Sequence, residues 1–258
     1  EIVVVDDHSS DRTADIVRQA APAGIRLLQM QALPGNGAHN APKKRAIEAG
    51  IDKAGGTLIV TTDADCMAGK NWLRQLAWTH EETGAQMVAG PVVMTPGKGW
   101  LTAFETLDFI SLQGITAAAA AHNSHSMCNG ANLAYTKTAF RQVNGFEGID
   151  HIASGDDMLL MQKIARAFPG QVRYAKSKEA IVETRPATGI RAFLRQRIRW
   201  ASKARFYREP ALKAVLLLVY LCNFSLLLAI VAAFFSVNAI FPALLLLLLK
   251  TAVEWVFM

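Results

Sequence analysis

Three short runs of acid stand at places where a fold can use them: Asp6-Asp7, Asp63-Ala64-Asp65 and Asp156-Asp157. The first two follow apolar, strand-like runs, and the third opens a helix-like one. In open α/β sheets ligands gather outside the carboxyl ends of strands, so these are candidate positions for chemistry. Any one cluster taken alone reads equally well as turn-forming or helix-capping aspartate.

Carboxylates at i and i+2 beyond a strand end, here Asp63 and Asp65, can share a hard divalent cation that prefers oxygen, Mg²⁺ or Mn²⁺. Such an ion suits a diphosphate, whose charge must be neutralised as it leaves. Lys43 and Lys44 follow the Gly-rich run Leu33-Pro34-Gly35-Asn36-Gly37 at a helix start, where positive charge would favour the same group. The bland alternative is two solvated lysines at a helix end; we assign Lys44 to the donor site. Asp156-Asp157 precedes the apolar helix Met158 to Phe168 and suits its N-terminus by charge alone. Adjacent carboxylates also raise one another's pKa, and a carboxylate beside a cleft can take a proton from a hydroxyl. That pair is the candidate general base. In Gln196-Arg197-Ile198-Arg199-Trp200 the arginines oppose an apolar stripe of Ile190, Phe193, Leu194 and Ile198, the pattern of a helix lying in a membrane interface. Arg199 and Trp200 could add phosphate pairing and a stacking surface.

The elements that would position these residues alternate. Ile2 to Val5 reads as a strand, with Ser9 or Ser10 capping a helix whose Ile16, Val17, Ala20 and Ala21 share a face. Ile25 to Met30 is the next strand, followed by a helix from about Ala41 to Ala54 and a strand from Thr57 to Thr62. This rhythm predicts a parallel α/β sheet. A helix from Asn71 to Glu82, a strand from Gln86 to Met94 and a helix from Trp100 to Ala121 continue it. Val172 to Ala175 and Ala180 to Glu183 are the last predicted strands.

The chain has 258 residues, 52% of them hydrophobic and 19% charged, with a formal charge of +6. This composition excludes intrinsic disorder, and three scattered cysteines exclude a disulfide scaffold. From Ala214 to Leu249 there is no charged residue. A helix of about 20 apolar residues crosses a bilayer, so this run predicts one full span over about 214–235 and a partial second one before Met258. Lys250 and Glu254 sit four apart in that second stretch, able to pair on one helix face. Nine basic residues between Arg185 and Lys213 face the single acid Glu209. That bias places the soluble part on the cytoplasmic side of a cell membrane as part of a multi-pass protein. The same basic segment is better matched to anionic lipid than to nucleic acid, so we expect membrane lipids and no nucleic acid as partners. His122, His125 and Cys128 offer only three zinc ligands, so a loop is the simpler reading there.

Taken in order, Val4-Val5-Asp6-Asp7-His8-Ser9-Ser10-Asp11, Asp63-Ala64-Asp65, Gly130-Ala131-Asn132, Gly155-Asp156-Asp157-Met158-Leu159-Leu160 and Gln196 to Trp200 resemble the motifs of family 2 glycosyltransferases. The likeness is to membrane-bound members of cellulose-synthase-like or ceramide-glucosyltransferase-like organisation. It implies an α/β, GT-A (Rossmann-like) nucleotide-sugar-binding domain over 1–184, an interfacial segment over 185–213 carrying a QxxRW motif, and transmembrane helices over 214–258. It implies inverting transfer from a nucleotide-diphosphate sugar, by family frequency a UDP-sugar, to a polysaccharide or lipid acceptor. By motif position, Asp6 and Asp7 would contact the nucleoside, and Asp63 and Asp65, the DXD pair, would handle diphosphate and metal. Asp157, beside Asp156, would be the base, and Gln196, Arg199 and Trp200 would lie near diphosphate and acceptor. The family's first strand and loop should precede residue 1, so the chain reads as cut at both ends. His8 stands where glycine is usual in the family. A response-regulator receiver explains only the first two clusters. Competing with the transferase reading are a nucleotidyltransferase of related fold and a noncatalytic nucleotide-binding membrane protein.

Overall fold

The computed structural model describes residues 1–20, 24–32, 41–95, 97–123, 127–202, 206 and 210–257. The Gly-rich run of 33–37, Ala21 and His125 lie outside them. The chain divides into two compact units, Glu1–Arg199 and Trp200–Met258.

In the first unit, β1 (Ile2–Asp6) pairs in parallel with β2 (Ile25–Gln29), with α1 (Thr13–Ala20) between them in sequence. The cap of α1 is neither Ser9 nor Ser10. Asp11 Oδ1 accepts from the Thr13 amide at 2.9 Å, while the side chain and amide of Ser9 are both engaged by the Asp6 carboxylate. Next, α2 (Pro42–Lys53) starts on a proline, whose missing N–H costs nothing in the first turn, and packs on β1.

The predicted all-parallel sheet is corrected by the structure, which is mixed. β3 (Leu58–Thr61), β7 (Leu133–Thr136), β5 (Met87–Ala89) and β8 (Val172–Tyr174) form one sheet in that order. β7 runs antiparallel to both neighbours, whereas β5 and β8 are parallel. Between β3 and β5 the chain forms β4 (Met67–Ala68) and α3 (Trp72–Thr83). The predicted strand 86–94 is two strands in two sheets. β5 ends at Ala89, and β6 (Val92–Met94) joins β4 and β9 (Val182–Thr184) in the order β4-β9-β6. Gly90-Pro91 makes the break, since proline has no N–H for a ladder.

Asn132, fully buried, holds that break together. Its Nδ2 donates to the carbonyls of Pro91 at 2.8 Å and Ala180 at 2.7 Å, while its Oδ1 accepts from the Trp72 indole at 2.9 Å. A Cβ at Gly90 would overlap this carboxamide. Around it Leu76, Ala85, Val88, Ala134, Ala175 and Ala180 close the core against Leu58, Val60 and Trp72.

Helices complete the unit: α4 (Trp100–Ala121) as expected, then α5 (Lys137–Gln142), α6 (Met158–Ala167) and most of α7 (Ile190–Ala201), whose last two residues belong to the second unit. The predicted strand at Ala180 begins later, because Lys178–Ala180 forms a 3-10 turn. In the second unit, α8 (Pro210–Ala233) and α9 (Ile240–Phe257) carry two candidate membrane spans, Lys213–Ala233 and Val237–Trp255. At 1.5 Å per residue, either segment matches a hydrocarbon core of about 30 Å by length and composition.

Candidate functional site

The turn after β3 and the start of α6 meet through one ammonium. Lys43 Nζ lies 2.8 Å from Asp63 Oδ1 and 3.3 Å from Asp156 Oδ2. Burial disfavours its charge, but the carboxylates of Asp156 and Asp63 outweigh that and raise its pKa above the ordinary lysine value. Gly130, in the loop before β7, floors the cluster. A Cβ there would stand 3.4 Å from Asp156 Oδ2, 3.5 Å from the Asp157 Cβ and 3.7 Å from Lys43 Nζ. Thr61, the last residue of β3, donates to the Gly130 carbonyl at 3.3 Å and so ties the strand end to this floor.

The two acids at the start of α6 occupy different environments. Asp157 caps the helix, Oδ1 accepting from the Met158 amide at 2.7 Å and Oδ2 from the Gly130 amide at 3.3 Å. Asp156 is mostly buried, and burial first, then the charge of Asp157, raises its carboxyl pKa against the opposing pull of Lys43. The site thus presents one carboxylate oriented by backbone amides and one with a heightened proton affinity beside a cation.

Lys44, expected at the donor site, sits elsewhere. It is 2% exposed, and its ammonium donates to the carbonyls of Ile152 and, at 3.1 Å, Ser154. The helix start thus has one lysine at the acidic cluster and one clamping the loop that leads to it. Helical spacing carries this distinction: Lys44 lies seven residues from buried Ile51 and so shares its core-facing stripe, while Lys43 is turned about 100° away. Thr61 escapes sequence reasoning because its contribution is a single hydroxyl at a strand end, while Gly130, legible only as part of a motif, contributes through its backbone.

Asp6 and Asp7 also divide. Asp6 is buried, with Oδ1 accepting from the Ser9 amide at 2.9 Å and Oδ2 from Gln29 Nε2 at 3.3 Å. Hydrogen bonds from Ser9, its side chain first and then its amide, hold the Asp6 carboxyl below its usual range despite burial. Asp7 is exposed and pairs with His8 Nδ1 at 2.9 Å. His8 has φ +64°, the left-handed conformation that glycine supplies without strain. Asp6 therefore builds the turn and Asp7 faces outward from it.

Asp63 and Asp65 lie on a turn closed by the Cys66 amide donating to the Asp63 carbonyl at 3.1 Å. Asp65 is exposed, its Oδ1 accepting from the Cys66 thiol at 3.6 Å. Among the described residues no three His, Cys, Asp or Glu side chains form a metal cluster. Two carboxylates on an open turn still fit a hard cation whose remaining ligands are diphosphate and water. Gln196 and Arg199 lie on α7, and Trp200 is the first residue of the second unit. The ion pairs of Lys43 run to Asp63 and Asp156, and bring in none of these three, nor Asp6 or Asp7.

Glycosyltransferase AglE of Haloferax volcanii is 28% identical over 160 residues, covering 61% of this chain and 48% of its own. The probable glycosyltransferase YdaM of Bacillus subtilis is 25% identical over 210 residues, covering 78% of this chain and 47% of its own. The chain thus spans about half the length of these curated relatives. Among solved structures, S. aureus TarS 1-349 in complex with UDP superposes with a TM-score of 0.51 at 16% identity, covering 72% of this chain and 51% of the TarS 1-349 chain, which establishes a shared fold. The motifs resemble family 2, but the profile that matches is that of glycosyl transferase family 21, and it does so over residues 1–258. That match spans every element from β1 to α9, and the chain belongs to glycosyl transferase family 21.

Proposed function

We propose that this chain is the catalytic part of a membrane-attached, inverting glycosyltransferase of cellulose-synthase-like or ceramide-glucosyltransferase-like organisation. It moves a sugar from a nucleoside-diphosphate sugar, a UDP-sugar, to a hydroxyl of a lipid or polysaccharide at the cytoplasmic face. The observation that carries this reading is the Lys43 bridge, which brings a diphosphate-type turn and an acid pair to one point. The UDP and UDP-GlcNAc complexes of TarS, a protein of the same fold, support the choice of donor.

In this reading Asp7 faces the nucleoside and Asp6 keeps the turn in shape. Lys43 pairs with the diphosphate, and Asp65, with Asp63, holds Mg²⁺ or Mn²⁺. That ion, when bound, supplies charge neutralisation to the departing diphosphate. Asp157 takes the acceptor proton; its two amide donors keep it aimed. Asp156, beside Lys43, holds the ammonium near the reacting groups. Gln196, Arg199 and Trp200 line the acceptor side. A single in-line displacement inverts the anomeric carbon and needs no enzyme nucleophile.

Calorimetric titration of the detergent-solubilised full chain with UDP, with and without Mn²⁺, tests the donor half. Wild type should bind in a Mn²⁺-dependent manner and Asp65→Ala should lose that dependence; equal affinity with and without the ion in wild type counts against the metal ligands. Asp157→Asn should bind UDP normally and lose transfer by about 10²-fold or more. Retention of most activity removes Asp157 from the base role.

A further inference from the structure

The apolar surface of the first unit is concentrated on two helices that touch. On α4, Trp100, Phe104, Leu107 and Ile115 recur at i, i+4, i+7 and i+15, within an 80° arc, and all are exposed, Trp100 to 76% and Leu107 to 56%. On α7, Ile190, Leu194 and Ile198 do the same, Ile198 to 69%. The helices meet where Phe104 packs edge-on against Phe193, ring centres 6.0 Å apart, and where Arg197 pairs with Asp108 at 2.5 Å while lying over the Phe193 ring. Phe104 belongs to both the seam and the exposed stripe of α4. Leu194 neighbours Arg197 at i+3, and Ile190 neighbours Phe193 in the same way. The two stripes therefore flank one seam.

Their charged borders are of one sign. Lys98 stands exposed before Trp100, and Arg191, Arg195 and Arg199 are exposed along α7. The acids of α4 are used inward: Asp108 on Arg197, and Glu105, fully buried, accepting from the Ala187 amide at 3.0 Å. An apolar face this size, rimmed by Lys and Arg with an indole at its edge, is matched by an acyl boundary beneath anionic headgroups. Only eight residues separate the end of α7 from α8, the first candidate span, so the tether is at most about 30 Å long.

We infer that α4 and α7 together form one face that lies in an anionic lipid leaflet, with α4 as a second interfacial helix beside the basic one. This rests on the reading of α8 and α9 as membrane spans, and the experiment separates the two. The full chain, with Cys66, Cys128 and Cys222 replaced by alanine, is spin-labelled singly at Leu107→Cys, Leu194→Cys, Glu81→Cys or Leu228→Cys. It is then reconstituted into phosphatidylcholine vesicles containing phosphatidylglycerol. Collision with oxygen should exceed collision with a water-soluble nickel chelate at 107, 194 and 228, with the order reversed at 81 on α3. A water-like label at 107 with a lipid-like label at 228 overturns the inference alone; a water-like label at 228 overturns the spans as well. Spin–spin broadening at 107, or shielding from both reagents, means that protein covers the face and also overturns it. Quenching of Trp100 by brominated lipid, taken as wild type minus Trp100→Phe, repeats the test with the native cysteines in place and should be lost if α4 stays in water.

Discussion

Lys43 and Lys44 share a type and a helix turn, yet one meets two carboxylates and the other two carbonyls. Their substitution should separate chemistry from stability. Lys43→Met should bind UDP-sugar at least about 10-fold more weakly and transfer about 10²-fold more slowly, with a smaller loss of stability than Lys44→Met, as its ammonium is half-exposed and its pair with Asp63 is open to solvent. Lys44→Met should leave the ligand constants of the folded protein near wild type and cost about 2 kcal/mol, because the carbonyls of Ile152 and Ser154 lose a charged donor in a buried place. Equal effects of the two on binding would refute the division. Asp6 yields a pH prediction. Its folded carboxyl titrates below the ordinary aspartate value of about 4, so its contribution is present above that pH and falls away as pH drops through the folded value. Asp6→Asn should therefore narrow the stability difference between pH 6 and pH 3 seen in urea melts of wild type.

At the scale of elements, the hinge between β5 and β6 has the tightest tolerance. Gly90→Ala drives a methyl into the Asn132 carboxamide and, through it, into bonds to Pro91, Ala180 and Trp72. A loss of about 2–3 kcal/mol is expected, measured as a lowered melting temperature with the Trp72 emission shifted toward that of an exposed indole. Local pattern made most elements legible: the β-branched run of β1, the Pro42 start of α2 and the apolar stripe of α6 each encode their own type. Strand direction was not legible. β7 enters the sheet backwards between β3 and β5 only after α4 and a loop have carried the chain round, and no residue of Leu133–Thr136 records that path. The break inside 86–94 was within reach, since Gly90-Pro91 stands in its middle. The cap of α1 at Asp11 follows from Ser9 being engaged by the Asp6 carboxylate three residues back, a local contact that propensity alone does not rank. The candidate site was legible as acid clusters. Their convergence on Lys43 was not, because α2, β3 and α6 are brought together only by the fold.

On the scale of the whole molecule, a sheet-based unit carries the acids and a helical unit carries the candidate spans. Lys43 sits in the first as a latch. While it joins Asp63 to Asp156, the turn and the acid pair occupy each other's charge. On the proposed reading an incoming diphosphate draws the ammonium off, and only then are both carboxylates uncovered. Donor and acceptor would consequently load in a compulsory order, donor first, since Asp63 and Asp156 stay paired with Lys43 until the diphosphate arrives. Product-inhibition kinetics reads this directly. Free UDP should compete with the donor and act noncompetitively toward the acceptor, and in Lys43→Met the order should relax to random.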